Sequence, residues 1–176
     1  MLKKFLLFIN LVFLGFSLSV CKNIFSAASE PVADTLSQVF LPQTGQTTSY
    51  YSGDDGAYRS GAPWPQPRFI NNGNGTVSDR LTGLMWEQNP SAVKSTSWAN
   101  AFEKINALNA VRKSGYSDWR LPNVNELRSL WNFNAGVPAD WLNTQGFTGV
   151  IYNYPYWTSS THTSSAEALH LRFTDY

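Results

Sequence analysis

Catalysis and metal binding need titratable or ligating side chains brought together, and this chain concentrates them in few places. The densest is "GYSDWRLPNVNEL", residues 115–127, which carries Asp118, Arg120 and Glu126. Two acids and a base in one strip could move a proton or grip a charged substrate. The same residues also suit a structural corner. Trp119 and Leu121 alternate with Asp118 and Arg120, so the apolar pair can turn inward while the charged pair holds backbone groups or each other. Asn123 with Glu126 three residues on has the spacing of a helix capping box. No histidine stands nearby, so Asp118, Trp119, Arg120, Asn123 and Glu126 are expected to be scaffold.

The other polar candidates are sparser. Asp79 follows the "NNGNG" turn, but Asn71, Asn72 and Asn74 are neutral. Calcium asks for several carboxylates, and a hairpin turn explains the stretch more simply. Asp54 and Asp55 in "GDDG" are a comparable case. His162 and His170 are the only histidines, eight residues apart and without a ligand-spacing motif. Ser159 and Ser160 lie in a Ser/Thr-rich segment with no Gly-x-Ser-x-Gly elbow. These residues imply no cofactor and no metal.

The elements that must position them are legible in part. "RFI", "TVSD" and "GLMW" are short apolar or alternating runs separated by Asn-Gly and Thr-Gly turns, which predicts an antiparallel meander over 68–87. Trp98, Ala101, Phe102, Ile105 and Leu108 fall on one helical stripe. Ser97 or Thr96 can cap that helix, Arg112 and Lys113 suit its negative end, and Gly115 is expected to stop it. A second, short helix follows Asn123, with Val124, Leu127, Leu130 and Trp131 as its buried stripe. After Phe133 the periodicity is lost, and Gly and Pro punctuate a long loop, 132–155. "YWTSST" and "ALHLRF" read as strands. The predicted class is α+β, with two helices on a short antiparallel sheet. The segment 29–67, rich in Pro, Gly and small polar residues, reads as a linker and lead-in to a domain over 68–176.

The aromatic loop is the leading functional signal. Trp141, Phe147, Tyr152, Tyr154, Tyr156 and Trp157 crowd seventeen residues. In extended chain the three tyrosines share a face. Exposed Tyr and Trp give rigid contact area with a polar tip. Filling the core beneath a long loop is the competing role, and Trp157 is assigned to it. Trp141, Tyr152, Asn153, Tyr154 and Tyr156 are the expected ligand-binding residues.

Composition narrows the partners. Aromatics make up 15 % and charged residues 14 %, unlike a disordered chain. Lys3 and Lys4 precede an apolar run to Val20, and Ser26-Ala27-Ala28 offers a small-residue cleavage site, so residues 1–28 read as a secretory signal peptide. Two alternatives remain. "LSVC" resembles a lipobox that would lipidate Cys21, although Val20 stands where a small residue is wanted, and the apolar run nears the ~17 residues of a membrane span. Membrane contact is expected only through this segment or such an anchor. Removing it takes Lys3, Lys4 and Lys22 but none of the twelve acids, so the net charge moves from +1 to −2. No basic run supports nucleic-acid binding. Cys21 is the only cysteine, so the mature chain has no thiol nucleophile and no disulfide within it.

"RFINNGNGTVSDRLTGLMW", "SWANAFEKINAL", "GYSDWRLPNVNELRSL" and "YWTSS", in this order, resemble the Lcl C-terminal domain family, also called domain of unknown function 1566. The upstream "LPQTGQTTSYY" and "GDDGAY" are similar to the lead-in of such proteins. The resemblance implies an exported bacterial protein, periplasmic, at the cell surface or extracellular, with a C-type-lectin-like fold. It also implies kinship with adhesin tips and ligand-binding domains. Formylglycine-generating-type enzymes are relatives of this fold, but their chemistry relies on cysteines. The expected function is therefore a non-catalytic, adhesin-like module for a surface glycan or protein. The alternatives are a degenerate enzyme-like domain, a structural envelope component or a truncated copy. Members of the family usually continue past the strand matching "ALHLRF", so the domain is expected either to lack its last strand or to close its sheet differently.

Overall fold

The computed structural model describes residues 41–93, 97–162 and 168–174. The segment expected to be a signal peptide, Cys21, the first part of the expected lead-in and Thr96 lie outside the described residues. No helix among those described is long and apolar enough to cross a membrane.

The meander is present. β1 (Phe69–Asn71), β2 (Thr76–Asp79) and β3 (Leu84–Glu87) pair antiparallel in that order. Gly73 and Gly75 take positive φ in the first turn and Gly83 in the second, which is why Asn-Gly and Thr-Gly stand there. The register sets Phe69 opposite Asp79, Val77 opposite Trp86 and Asp79 opposite Leu84. These residues thus share a face, and all five are buried.

Ahead of the meander, α1 (Asp55–Tyr58) is a single turn of helix where "GDDG" suggested only a turn. After it, α2 (Trp98–Ala110) starts at Ser97, whose side chain accepts from the Asn100 N–H. Ala101 and Ile105 are buried, while Phe102 is partly exposed and packs edge-on against Trp98 at 5.0 Å. The helix ends at Ala110, five residues before Gly115. Arg112 and Ser114 adopt left-handed conformations around a 3-10 turn, Lys113–Gly115. α3 (Val124–Arg128) begins at Asn123 as its spacing predicts, with Leu127 buried.

Two expectations are corrected. The stretch 132–155 is not all loop: it contains α4 (Pro138–Thr144), with Pro at its first position. Trp141 is therefore a helical residue, and the helices number four rather than two among the described residues. The sheet is also not single. β4 (Pro155–Thr161) and β5 (Ala168–Arg172) form a separate two-stranded antiparallel sheet. The architecture is α+β, small antiparallel sheets with a few short helices.

The buried side chains form two groups. The larger joins Val77, Trp86, Leu127, Leu130, Leu142, Phe147 and Phe173, so the meander, α3, α4 and the end of β5 meet there. The smaller joins Ala101, Ile105, Trp119 and Leu121, with Trp157 packed against it. From residue 41 on, the lead-in is tied to the rest. Trp64 packs on Trp141 at 5.7 Å, and the Phe133 N–H donates to the Thr44 carbonyl at 3.1 Å.

Candidate functional site

The corner at 115–127 is built as scaffold. Trp119 and Leu121 are buried. Asn109, near the end of α2, clamps Trp119 from both sides: its Oδ1 accepts from the Trp119 N–H at 2.6 Å and its Nδ2 donates to the Trp119 carbonyl at 2.9 Å. The Trp119 indole N–H donates to the Lys113 carbonyl at 3.0 Å. Arg120 grips Glu126 with both terminal nitrogens, at 2.9 and 2.8 Å. Glu126 also accepts from the Asn123 N–H at 2.7 Å while Asn123 accepts from the Glu126 N–H at 2.8 Å, which completes the capping box. Every oxygen of Glu126 is thus engaged in holding the start of α3.

Glu126 carries a pH signature. Burial pushes its carboxyl up, but hydrogen bonds from Arg120 and Asn123 outweigh that and hold it below its ordinary value. A lowered folded-state pKa means that the contact stabilises above the unfolded value near 4.5 and is lost as pH falls through the folded value. Glu126→Gln should therefore destabilise the protein at pH 7, with the gap to wild type narrowing in acid. Urea unfolding at pH 7 and pH 3 checks this; a gap independent of pH would show that the charge does nothing.

Two further ion pairs consume the other buried charges. Arg68 and Asp79 form a two-pronged pair at 3.0 and 2.8 Å, both buried. Asp79 also accepts from the Leu81 N–H and the Thr82 hydroxyl. It anchors the β2–β3 turn. Lys113 meets both oxygens of buried Glu87 at 2.8 and 2.9 Å, tying β3 to the turn after α2. Among the described residues no group of three His, Cys, Asp or Glu could hold a metal ion. His170 on β5 lies edge-on to Trp157 at 5.7 Å.

The aromatic residues chosen for binding separate into inner and outer members. Trp141 packs into the main core against Phe69 at 5.9 Å and Trp64. Tyr156 lies on Phe173 at 5.4 Å, and its hydroxyl accepts from the Ile151 N–H at 2.8 Å. Burial pushes the Tyr156 phenol above its ordinary pKa. Tyr154, half-buried, stands edge-on to Tyr156 at 5.6 Å. Tyr152 is 47 % exposed. The extended chain that would set the three tyrosines on one face does not occur, because Asn153 adopts a left-handed conformation, φ 56°, and turns the chain between Tyr152 and Tyr154. That turn is held: the Asn153 N–H donates to the Phe173 carbonyl at 3.3 Å, and Arg172 donates to its side-chain oxygen at 3.3 Å. Arg172 is a neighbour that sequence spacing alone does not suggest. It arrives through the β4–β5 register, which sets Pro155 opposite Arg172. The result is a small rim, Tyr152–Asn153–Tyr154 beside Arg172, resting on Tyr156 and Phe173.

Small antiparallel sheets wrapped by short helices, with aromatic residues graded from core to rim, define a compact α+β domain. The family model for the Lcl C-terminal domain matches residues 75–176, more than half of the chain. The chain belongs to the Lcl C-terminal domain family. No curated protein and no solved structure matches it.

Proposed function

We propose that the protein is an exported, non-catalytic recognition module with a C-type-lectin-like fold, and that it grips a surface glycan or protein through the 152–154 rim. One observation carries this reading: Tyr152 is held outward on a turn whose conformation Asn153, Phe173 and Arg172 fix. A ring presented on a locked turn loses little freedom on binding. Tyr156 serves the rim from beneath, as packing, while Trp141 packs elsewhere in the core against Phe69 and Trp64. The buried charged side chains support a non-catalytic role because they are engaged in holding turns and helix ends.

The test is a glycan and surface-protein screen, followed by the Tyr152→Ala/Tyr154→Ala double variant. Loss of such an anchor should weaken binding by about 2 kcal/mol, roughly thirtyfold. Circular dichroism must show the fold intact. Unchanged affinity in a folded variant removes the rim as the site.

A further inference from the structure

Residues 41–62 lie outside the family match and carry Tyr50, Tyr51 and Tyr58, which are 83 %, 81 % and 74 % exposed. Exposed apolar residues scattered singly need no explanation, but three large rings within nine residues do. The chain beneath them is tightly built. Asp54 caps α1, its carboxylate accepting from the Ala57 N–H at 3.0 Å and from the Tyr50 and Tyr51 N–H groups at 2.7 and 3.1 Å. Asn134 accepts from the Thr47 and Thr48 N–H groups at 3.0 and 3.1 Å. Arg59 donates to the Thr47 carbonyl at 3.1 Å, and the Thr44 hydroxyl donates to Asp55. Gly56 lies so close to Thr48 that a Cβ there would stand 2.1 Å from the Thr48 carbonyl oxygen. A backbone fixed at this many points presents its rings without further ordering.

We propose that Tyr50, Tyr51 and Tyr58 form a preorganised platform for a neutral saccharide chain. Charge excludes an acidic ligand: the segment holds Asp54, Asp55 and Arg59 for a net charge of −1, and Arg59 is turned toward backbone carbonyls. A sulfated or phosphorylated chain finds a single cation in this segment, Arg59, beside two carboxylates. Size argues against a protein partner, since nine residues fall well short of the ~800 Å² per side of a standard interface. Two or three phenol rings match two or three sugar rings. Each offers an apolar face to sugar C–H groups and a hydroxyl to sugar hydroxyls. This surface is separate from the 152–154 rim and stands or falls without it.

Isothermal titration of the full chain with cellohexaose, maltohexaose, chitohexaose and a heparin-derived hexasaccharide tests the proposal. At least one neutral hexasaccharide should bind, and Tyr50→Ala/Tyr51→Ala should weaken it roughly tenfold or more. Val111→Ala, at an exposed residue outside both surfaces, should leave that affinity unchanged. The variant rings are exposed, so thermal melts should match wild type. No neutral binding, binding insensitive to the double variant, or preference for the heparin fragment overturns the proposal. So does self-association that the double variant abolishes without any saccharide binding, which would make the patch a protein interface.

Discussion

Asp79→Ala should destabilise the protein by about 3–5 kcal/mol, enough to unfold many domains of this size. The cause is the charge left behind. Arg68 is buried, and its Nη2 donates to Asp79 at 2.8 Å and the Ser129 carbonyl at 2.7 Å. Among the described residues its Nη1 has no hydrogen-bond partner. The guanidinium carbon instead lies 4.4 Å from the Trp64 ring and 4.6 Å from the Phe69 ring. Aromatic faces offset part of a buried cation's desolvation, but not all of it. Removing Asp79 also frees the Leu81 N–H and the Thr82 hydroxyl in the β2–β3 turn. Replacing both partners at once, Arg68→Met with Asp79→Ala, should cost less than Asp79→Ala alone, because no orphaned charge remains. Urea unfolding of the two variants decides. If the single variant loses under ~1 kcal/mol, the level of an exposed pair, the pair is not buried in solution.

That ion pair also shows where sequence reading stops. Arg68 and Asp79 are eleven residues apart and meet only because the first hairpin sets Phe69 opposite Asp79. Turn chemistry made that hairpin legible, yet pairing the two charges required the register. Local signals succeeded elsewhere for the same kind of reason. Asn123 and Glu126 bond each other within one turn, so their spacing alone specifies the cap. α4 escaped because seven residues are too few for a helical period to repeat. Pro138 at its first position and Gly146 just beyond its end were the available signals. The tyrosine alternation at 152–156 misled because it assumed an extended chain, and one left-handed residue, Asn153, breaks that assumption. Trp64 looked like linker until its contact with Trp141 placed it against the core.

Trp86→Ala should be as damaging, at about 3–5 kcal/mol. Trp86 has no exposed surface, and it sits opposite Val77, which has none either. The walls around it cannot readily close. On one side β3 is held to β2 across four residue pairs. The next residue, Glu87, is tied to Lys113. The core it fills is shared with α3, α4 and Phe173, so collapse would have to move several elements together. A cavity therefore persists, and its lining loses contacts as well as transfer free energy. Trp157, half-buried on β4, can be partly replaced by solvent, so Trp157→Ala should cost less. Thermal and urea melts of both variants check the order. Equal losses would mean that Trp86 is not the keystone its burial implies. A second readout separates packing from recognition. The 152–154 rim rests on Tyr156 and Phe173, and Phe173 belongs to the same core as Trp86. A weakened core should therefore loosen the rim only when the domain unfolds. At a temperature where Trp86→Ala is still folded, ligand affinity should equal that of wild type, whereas Tyr152→Ala should lose affinity with its melting temperature unchanged.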